Sequence, residues 1–333
     1  IMYQDFQLDN IFIKGVLQEK DILINSAKFK LLNNEINAQG ILNLEKLNWN
    51  ASITLDGYKY GEGVVLSGTA DIASSLFFEN IQGYLDLADI RIDSVYIHSA
   101  NGEFMYDKEE YLNAEINIFS NGYNGFINIQ SFIDEDNYNI SGNIKFDEFD
   151  IPKYINLAGR NQITGNMDFS VHTNDGISKL NLTTTNGKGY LLNSAFSNFT
   201  GKANFIVNDE IITGQSQGFL NNWILDTYNW HNIDYKVEFS DIGTSTYSLS
   251  AFGSMGDSLE IKAEKLSSDK IYLSKFEGVL KQSIIYADPF YIVIADNLLH
   301  FPEINLKLGH GNILLRGNFN DYDRYDFNAE ISD

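Results

Sequence analysis

Apolar and polar residues alternate with a period of two along most of this chain. Leu112, Ala114, Ile116 and Ile118 alternate with Asn113, Glu115 and Asn117, and Ile140, Gly142, Ile144 and Phe146 alternate with Ser141, Asn143 and Lys145. The same phase recurs at Met167/Phe169/Val171, Ala203/Phe205/Val207, Leu259/Ile261/Ala263 and Ile304/Leu306/Leu308. A period of two places successive side chains on opposite sides of a strand, so each segment predicts a strand with one dry and one hydrated face. Slips of phase from Leu85/Leu87 to Ile90/Ile92 and then to Val95/Ile97 predict bulges or bends that curve the sheet.

Turn residues punctuate these segments. Asn101-Gly102, Asn121-Gly122, Asp175-Gly176 and Asn186-Gly187 predict tight hairpins, and Asp107–Glu110 and Asp134–Asn137 predict longer tips. Helical pattern is confined to a single turn at Pro152–Leu157, with Phe219–Tyr228 ambiguous. The expected fold is all-β: an elongated, curved, mostly antiparallel repetitive sheet. It runs as one region over residues 1–333, with a candidate subdivision near 150–165. At about 12 to 15 residues per strand and turn, the chain holds about 22 to 27 strands and spans on the order of 100 Å.

Repeated phrases support stacking of one small unit. FENIQG at Phe78–Gly83, FSNFTG at Phe196–Gly201 and LSKFEG at Leu273–Gly278 each end in glycine and lead into a strand pattern. Tyr111, Tyr138 and Tyr325 open a second phrase, YLNAEINI, YNISGNIKF and YDFNAEI.

Composition narrows the function classes. With 333 residues and 44% hydrophobic content the chain can build a core, and a net charge of −22 with only Arg91, Arg160, Arg316 and Arg324 as arginines opposes nucleic-acid binding. There is no cysteine, hence no disulfide or thiolate metal site. No run reaches the roughly 18 apolar residues of a membrane helix. The chain opens at Ile1 and stops at or just after the strand-like Phe327–Ile331, so a piece of a longer protein is expected.

Catalytic signatures are missing, and no enzyme, cofactor or metal is expected. His98, His172, His231, His300 and His310 form no HxxxH pair, and only His300 and His310 suggest a meeting across a hairpin. Asp321, Asp323 and Asp326 lack the glycine and terminal glutamate of a calcium loop. Asp147, Glu148 and Asp150 are dense carboxylates in an acidic chain and do not amount to a glycosidase pair. Gly253–Gly256 lacks the lysine of a phosphate loop and reads as a turn.

The phrases FENIQGYLDLADIRID and FSNFTGKANFIVND, with GVVLSGTADI at Gly63–Ile72 and YNISGNIKFDEFDIPKYINLAG, resemble the AsmA-like proteins, and most of all their TamB branch. The resemblance runs roughly from Gly63 to the end. It implies a periplasmic segment of an inner-membrane-anchored bridge protein, with the anchor outside this chain. The sheet would fold lengthwise, like a taco, around a hydrophobic groove that carries phospholipid between inner and outer membrane. It also implies a role in outer-membrane biogenesis and protein secretion, with a β-barrel assembly partner. The groove lining expected from the apolar phase is Ile116, Ile118, Ile144, Phe146, Phe169, Val171, Phe205, Val207, Ile261, Leu306 and Leu308.

The physical reading points the same way, since a one-sided apolar sheet must hide that side and acyl chains can do so. Two other classes compete. An adhesin-like β-repeat rod would fill its apolar face with side chains and use exposed tyrosines for glycans or protein partners. A β-solenoid enzyme would need carboxylates beside Arg or Lys, which are sparse here.

Overall fold

Segments that alternate β-branched or aromatic residues with amides and hydroxyls suit a pleated backbone with one dry side, and they form strands throughout. The structure, a computed structural model, describes residues 2–3, 6–31, 34–60, 63–75, 80–92, 95–107, 111–132, 137–150, 160–191, 194–208, 211–225, 228–240, 244–267, 269–295, 298–320 and 325–332. These residues form 24 strands, and the helical content among them is one 3-10 turn at Ser254–Gly256. The all-β, antiparallel, repetitive sheet expected from the alternation is what forms. The chain divides into two units, Ile1–Lys145 with Val171–Asp175, and Phe146–Ser170 with Gly176–Asp333.

In the N-terminal unit the strands are β1 (Met2–Tyr3), β2 (Phe6–Gln18), β3 (Asp21–Leu31), β4 (Asn34–Asn43), β5 (Asn48–Tyr60), β6 (Val64–Ser75), β7 (Asn80–Ile92), β8 (Val95–Asp107), β9 (Tyr111–Ser120) and β10 (Tyr123–Phe132). Each pairs antiparallel with the next. β11 (Asn137–Asp150) and β12 (Gln162–Asn174) give residues to both units.

The C-terminal unit continues with β13 (Ile177–Leu191), β14 (Ser194–Asn208), β15 (Ile211–Leu225), β16 (Tyr228–Phe239), β17 (Ser245–Gly253), β18 (Ser258–Ser267), β19 (Lys270–Leu280), β20 (Ser283–Ala287), β21 (Phe290–Ala295), β22 (Leu298–Leu308), β23 (Gly311–Asn320) and β24 (Tyr325–Ser332). Neighbours again pair antiparallel. β20 and β21 share both partners, β19 and β22, and so form one interrupted strand. Pro289, which has no N–H for the ladder, lies in the interruption.

Several local expectations are borne out and two are corrected. Gly122, Asp175 and Gly176 have the positive φ of tight turns (87°, 49° and 77°). Asn101-Gly102 is not a turn but lies inside β8, where a Cβ on Gly102 would strike the backbone of Glu115 and Ile116. Asn186-Gly187 is a bulge inside β13, with Asn186 at φ 56°. The phase slip after Leu87 is likewise a bulge, with Asp89 at φ 52° and a register shift opposite Val65/Ser67. The predicted turn at Pro152–Leu157, residues 108–110 and 134–136 of the two predicted tips, and Asp321 and Asp323 of the acidic triad lie outside the described residues.

The glycine that ends each repeated phrase now has a physical meaning. Gly83 pairs with Phe104, whose ring occupies the space a Cβ would need. Gly201 lies beneath Phe199 and Tyr235, whose rings stack at 6.1 Å and 12°. Gly278 faces the backbone of Ser258 and Leu259 too closely for any side chain. The glycine is a mid-strand site where a neighbour closes over the chain.

Candidate functional site

Register turns the alternation into continuous rows. In the N-terminal unit one row reads Ile13–Ala27–Ala38–Ile53–Ala70–Leu85–Gly102–Ile116–Ile127, across nine strands without a polar residue. The rows beside it are Gly15–Ile24–Gly40–Ala51–Ile72–Gly83–Phe104–Ala114–Ile129 and Phe29–Ile36–Leu55–Gly68–Leu87–Ala100–Ile118–Gly125. The opposite face is hydrated, for example Asn37–Thr54–Thr69–Asp86–Asn101–Asn117.

The C-terminal unit repeats the plan. Its central row is Thr184–Gly201–Gly218–Tyr235–Leu249–Ile261–Phe276–Ala287–Leu306–Ile313–Ile331. Here aromatic side chains fill part of the apolar face. Trp230, Ile233 and Ala251 are buried together, with Leu220, Trp223, Leu249, Leu259 and Leu280 packed against them.

Ten of the eleven residues expected on the apolar face are buried or half-buried, and the eleventh, Leu308, is 39% exposed. Ile116 and Ile118 lie in adjacent rows, with Ile118 4% exposed. Phe205, Val207, Ile261, Leu306 and Leu308 all fall on the apolar face of the C-terminal unit. Ile144 and Phe146 keep the alternating half-buried phase of β11, and Phe146 reaches Phe149 at 5.1 Å across a bulge at Glu148 (φ 52°). Phe169 and Val171 flank Ser170, whose hydroxyl bonds hydrated-face Asn181 at 3.2 Å, so they belong to the dry side.

Among the described residues thirteen apolar residues are buried, and Ile36, Ala70, Ala100, Ala114 and Ile118 of these stand on the apolar rows of the N-terminal unit. Large apolar residues more than a third exposed occur on both faces, Ile13, Leu308 and Ile331 on the apolar one and Ile41, Tyr84, Met105 and Ile206 on the hydrated one. Among the described residues no α-helix packs on either face.

Open hollows occur on the other side. One of about 1060 Å³ over β3–β9 is lined by the Gly40–Ala51–Ile72–Gly83–Phe104–Ala114 row and by the residue on either side of each. Those flanking side chains point to the hydrated face, and the next apolar-face residues (Ala38, Ile53, Ala70 and Leu85) do not line it. A second hollow, about 590 Å³, is bordered by Glu260 and Lys262 but not by Ile261 between them. A third, about 600 Å³, is bordered by Ile284 and Tyr286 but not by Ile285. None of the eleven residues lines these three hollows.

The hollows differ in charge. The first holds Asp71, Glu103 and Glu115, which make no ion pair among the described residues, and the exposed ring of Tyr84. Glu103 and Glu115 stand directly opposite each other, an unfavourable like-charge pair. The second holds the row Lys202–Gln217–Lys236–Ser248–Lys262. Glu260 bonds Lys275 at 2.6 Å and Lys262 at 3.2 Å, and these two ammonium groups hold its carboxyl below the usual range.

Histidine chemistry stays structural: His300 meets Asn318 at 2.6 Å instead of His310, and His231 meets Asn222 at 2.6 Å. No cluster of three metal-ligating side chains occurs among the described residues. Gly253–Gly256 closes as the 3-10 turn. No protein-family model matches the chain, no curated protein matches it in sequence, and no solved structure matches its fold.

Proposed function

We propose that this chain holds the acyl chains of phospholipids along its apolar face and serves as a segment of a lipid-carrying bridge. The observation behind the reading is the nine-strand row from Ile13 to Ile127, which contains only Ile, Leu, Ala and Gly. A row of this kind offers continuous apolar contact with no polar step to cross. Each methylene buried against it contributes about 0.8 kcal/mol, so a chain slides from strand to strand with little change in free energy.

A periplasmic location, an inner-membrane anchor elsewhere in a longer protein and an outer-membrane assembly partner belong to the same proposal, through the resemblance of its strand phrases to the TamB branch. The test is transfer of phosphatidylglycerol between donor and acceptor vesicles. Transfer accelerated by the chain and abolished by Ile116→Asp supports the reading, whereas equal rates with and without the chain refute it.

One observation favours a second reading, a β-repeat rod that binds glycans on its hydrated face. Tyr84 stands 43% exposed in the first hollow between Asp71 and Glu103. Retention on a glycan array that is lost in Tyr84→Ala, with no lipid bound, would select this reading.

A further inference from the structure

The hydrated face of β4–β9 breaks its own rule in one place. The rows Asn37–Thr54–Thr69–Asp86–Asn101–Asn117 and Asn43–Asn48–Ser75 are polar throughout. Between them run Ile41–Asn50–Ala73–Gln82–Met105–Asn113 and Gln39–Ser52–Asp71–Tyr84–Glu103–Glu115. Alternation calls for polar residues here, yet Ile41, Tyr84 and Met105 stand 45%, 43% and 44% exposed. Large apolar side chains gathered on a wet surface and rimmed by polar ones mark a place where something docks.

These two rows are the walls of the hollow of about 1060 Å³, and the backbone of the Gly40–Ala51–Ile72–Gly83–Phe104–Ala114 row between them is its floor. Residues two apart on a strand put the walls about 7 Å apart, and crossing from β4 to β9 at about 4.8 Å per strand covers about 24 Å. The trough therefore runs across the strands with room for one extended chain of about seven residues.

Charge identifies the occupant. One wall carries Asp71, Glu103 and Glu115, and no lysine or arginine lines the hollow. The three carboxylates make no ion pair among the described residues. Glu103 faces Glu115 directly, a repulsion that a cation between them would reverse and a neutral glycan would leave in place. The other wall offers Ile41 and Met105. An extended segment points successive side chains to opposite sides, so it suits both walls when basic and apolar residues alternate.

We propose that this trough docks an extended segment of a partner protein in which Lys or Arg alternates with apolar residues. Its basic side chains reach Asp71, Glu103 and Glu115, and its apolar ones pack on Ile41 and Met105. The net charge of −22 draws such a partner in. The site lies on the face opposite the apolar rows and is independent of the lipid-carrying reading.

The probe is a fluorescein-labelled heptapeptide of alternating lysine and leucine, titrated with the whole chain and followed by anisotropy. Saturable binding is expected, weakened about tenfold by Glu103→Gln combined with Glu115→Gln, a change that relieves the like-charge pair and so keeps the fold. Met105→Ser should weaken it severalfold. Glu264→Gln combined with Glu330→Gln removes the same charge outside the hollow and should leave binding unchanged. Equal losses from the two pairs reduce the effect to general attraction of opposite charges and overturn the proposal, as does the absence of binding. A glycan retained through Tyr84 with no peptide bound also overturns it, in favour of the carbohydrate reading.

Discussion

The two units present apolar faces of the same design with different fillings. Across β2–β10 the central row is aliphatic or glycine at every strand, and in the row beside it Phe104 covers Gly83. In the C-terminal unit Tyr235 and Phe199 lie over Gly201, and Trp230, Ile233 and Ala251 form a cluster of their own. The first is filled by small and aliphatic side chains, with Ile36, Ala70, Ala100, Ala114 and Ile118 buried, and the second in part by aromatic rings. Glycine admits an aromatic ring in both, Phe104 at Gly83 and Phe199 with Tyr235 at Gly201.

The difference predicts where each unit breaks. Trp230→Ala removes the centre of the aromatic cluster and should cost about 3–5 kcal/mol in urea unfolding of the C-terminal unit, with lipid retention by the N-terminal unit unchanged. Ile116→Asp should do the reverse: strand content by circular dichroism is kept, but a carboxylate in the acyl path costs about 2.5–3.5 kcal/mol, lowering phospholipid affinity about a hundredfold. Equal effects of the two substitutions on both readouts would erase the distinction between the faces.

A smaller effect sharpens the account of glycine. Gly83→Val drives a side chain into the Phe104 ring and the Asp71 carbonyl, and should destabilise by about 1–3 kcal/mol. Combining it with Phe104→Ala should recover part of that loss, because the ring is the movable half of the collision.

The smallest effects lie on the hydrated face. The Glu260 carboxyl is held down first by Lys275 and then by Lys262, so its contribution is present above the ordinary value of 4.5 and is lost as pH falls through the lowered one. The Tyr96 phenol is held up by its bond to Asp89, so its contribution is present below the ordinary value of 10.0 and is lost as pH rises through the raised one. Both groups are open to solvent and screened. Glu260→Gln should therefore flatten only the acid limb of the melting profile, and Tyr96→Phe only the alkaline limb.

Much of this architecture is legible in the chain because a period of two fixes which side a residue takes. Alternation alone places Ile116, Phe205 and Ile261 on the dry side, and the phase slip near Ile90 marks the Asp89 bulge. Asn101-Gly102 and Asn186-Gly187 depart from the turns their sequence predicts because the same dipeptide serves a turn, a close strand approach or a bulge, and only the paired strand decides which. The hollows on the hydrated face depend on register between strands, which alternation within one strand does not contain.

The central claim is that lipid, rather than side chains, covers the apolar face of the N-terminal unit. Native mass spectrometry of the chain gently purified from bacterial membranes, with lipid extraction alongside, tests it most directly. The account predicts several phospholipids on each wild-type chain and their loss from Ile116→Asp. A wild-type chain that emerges free of lipid under the same handling would contradict it.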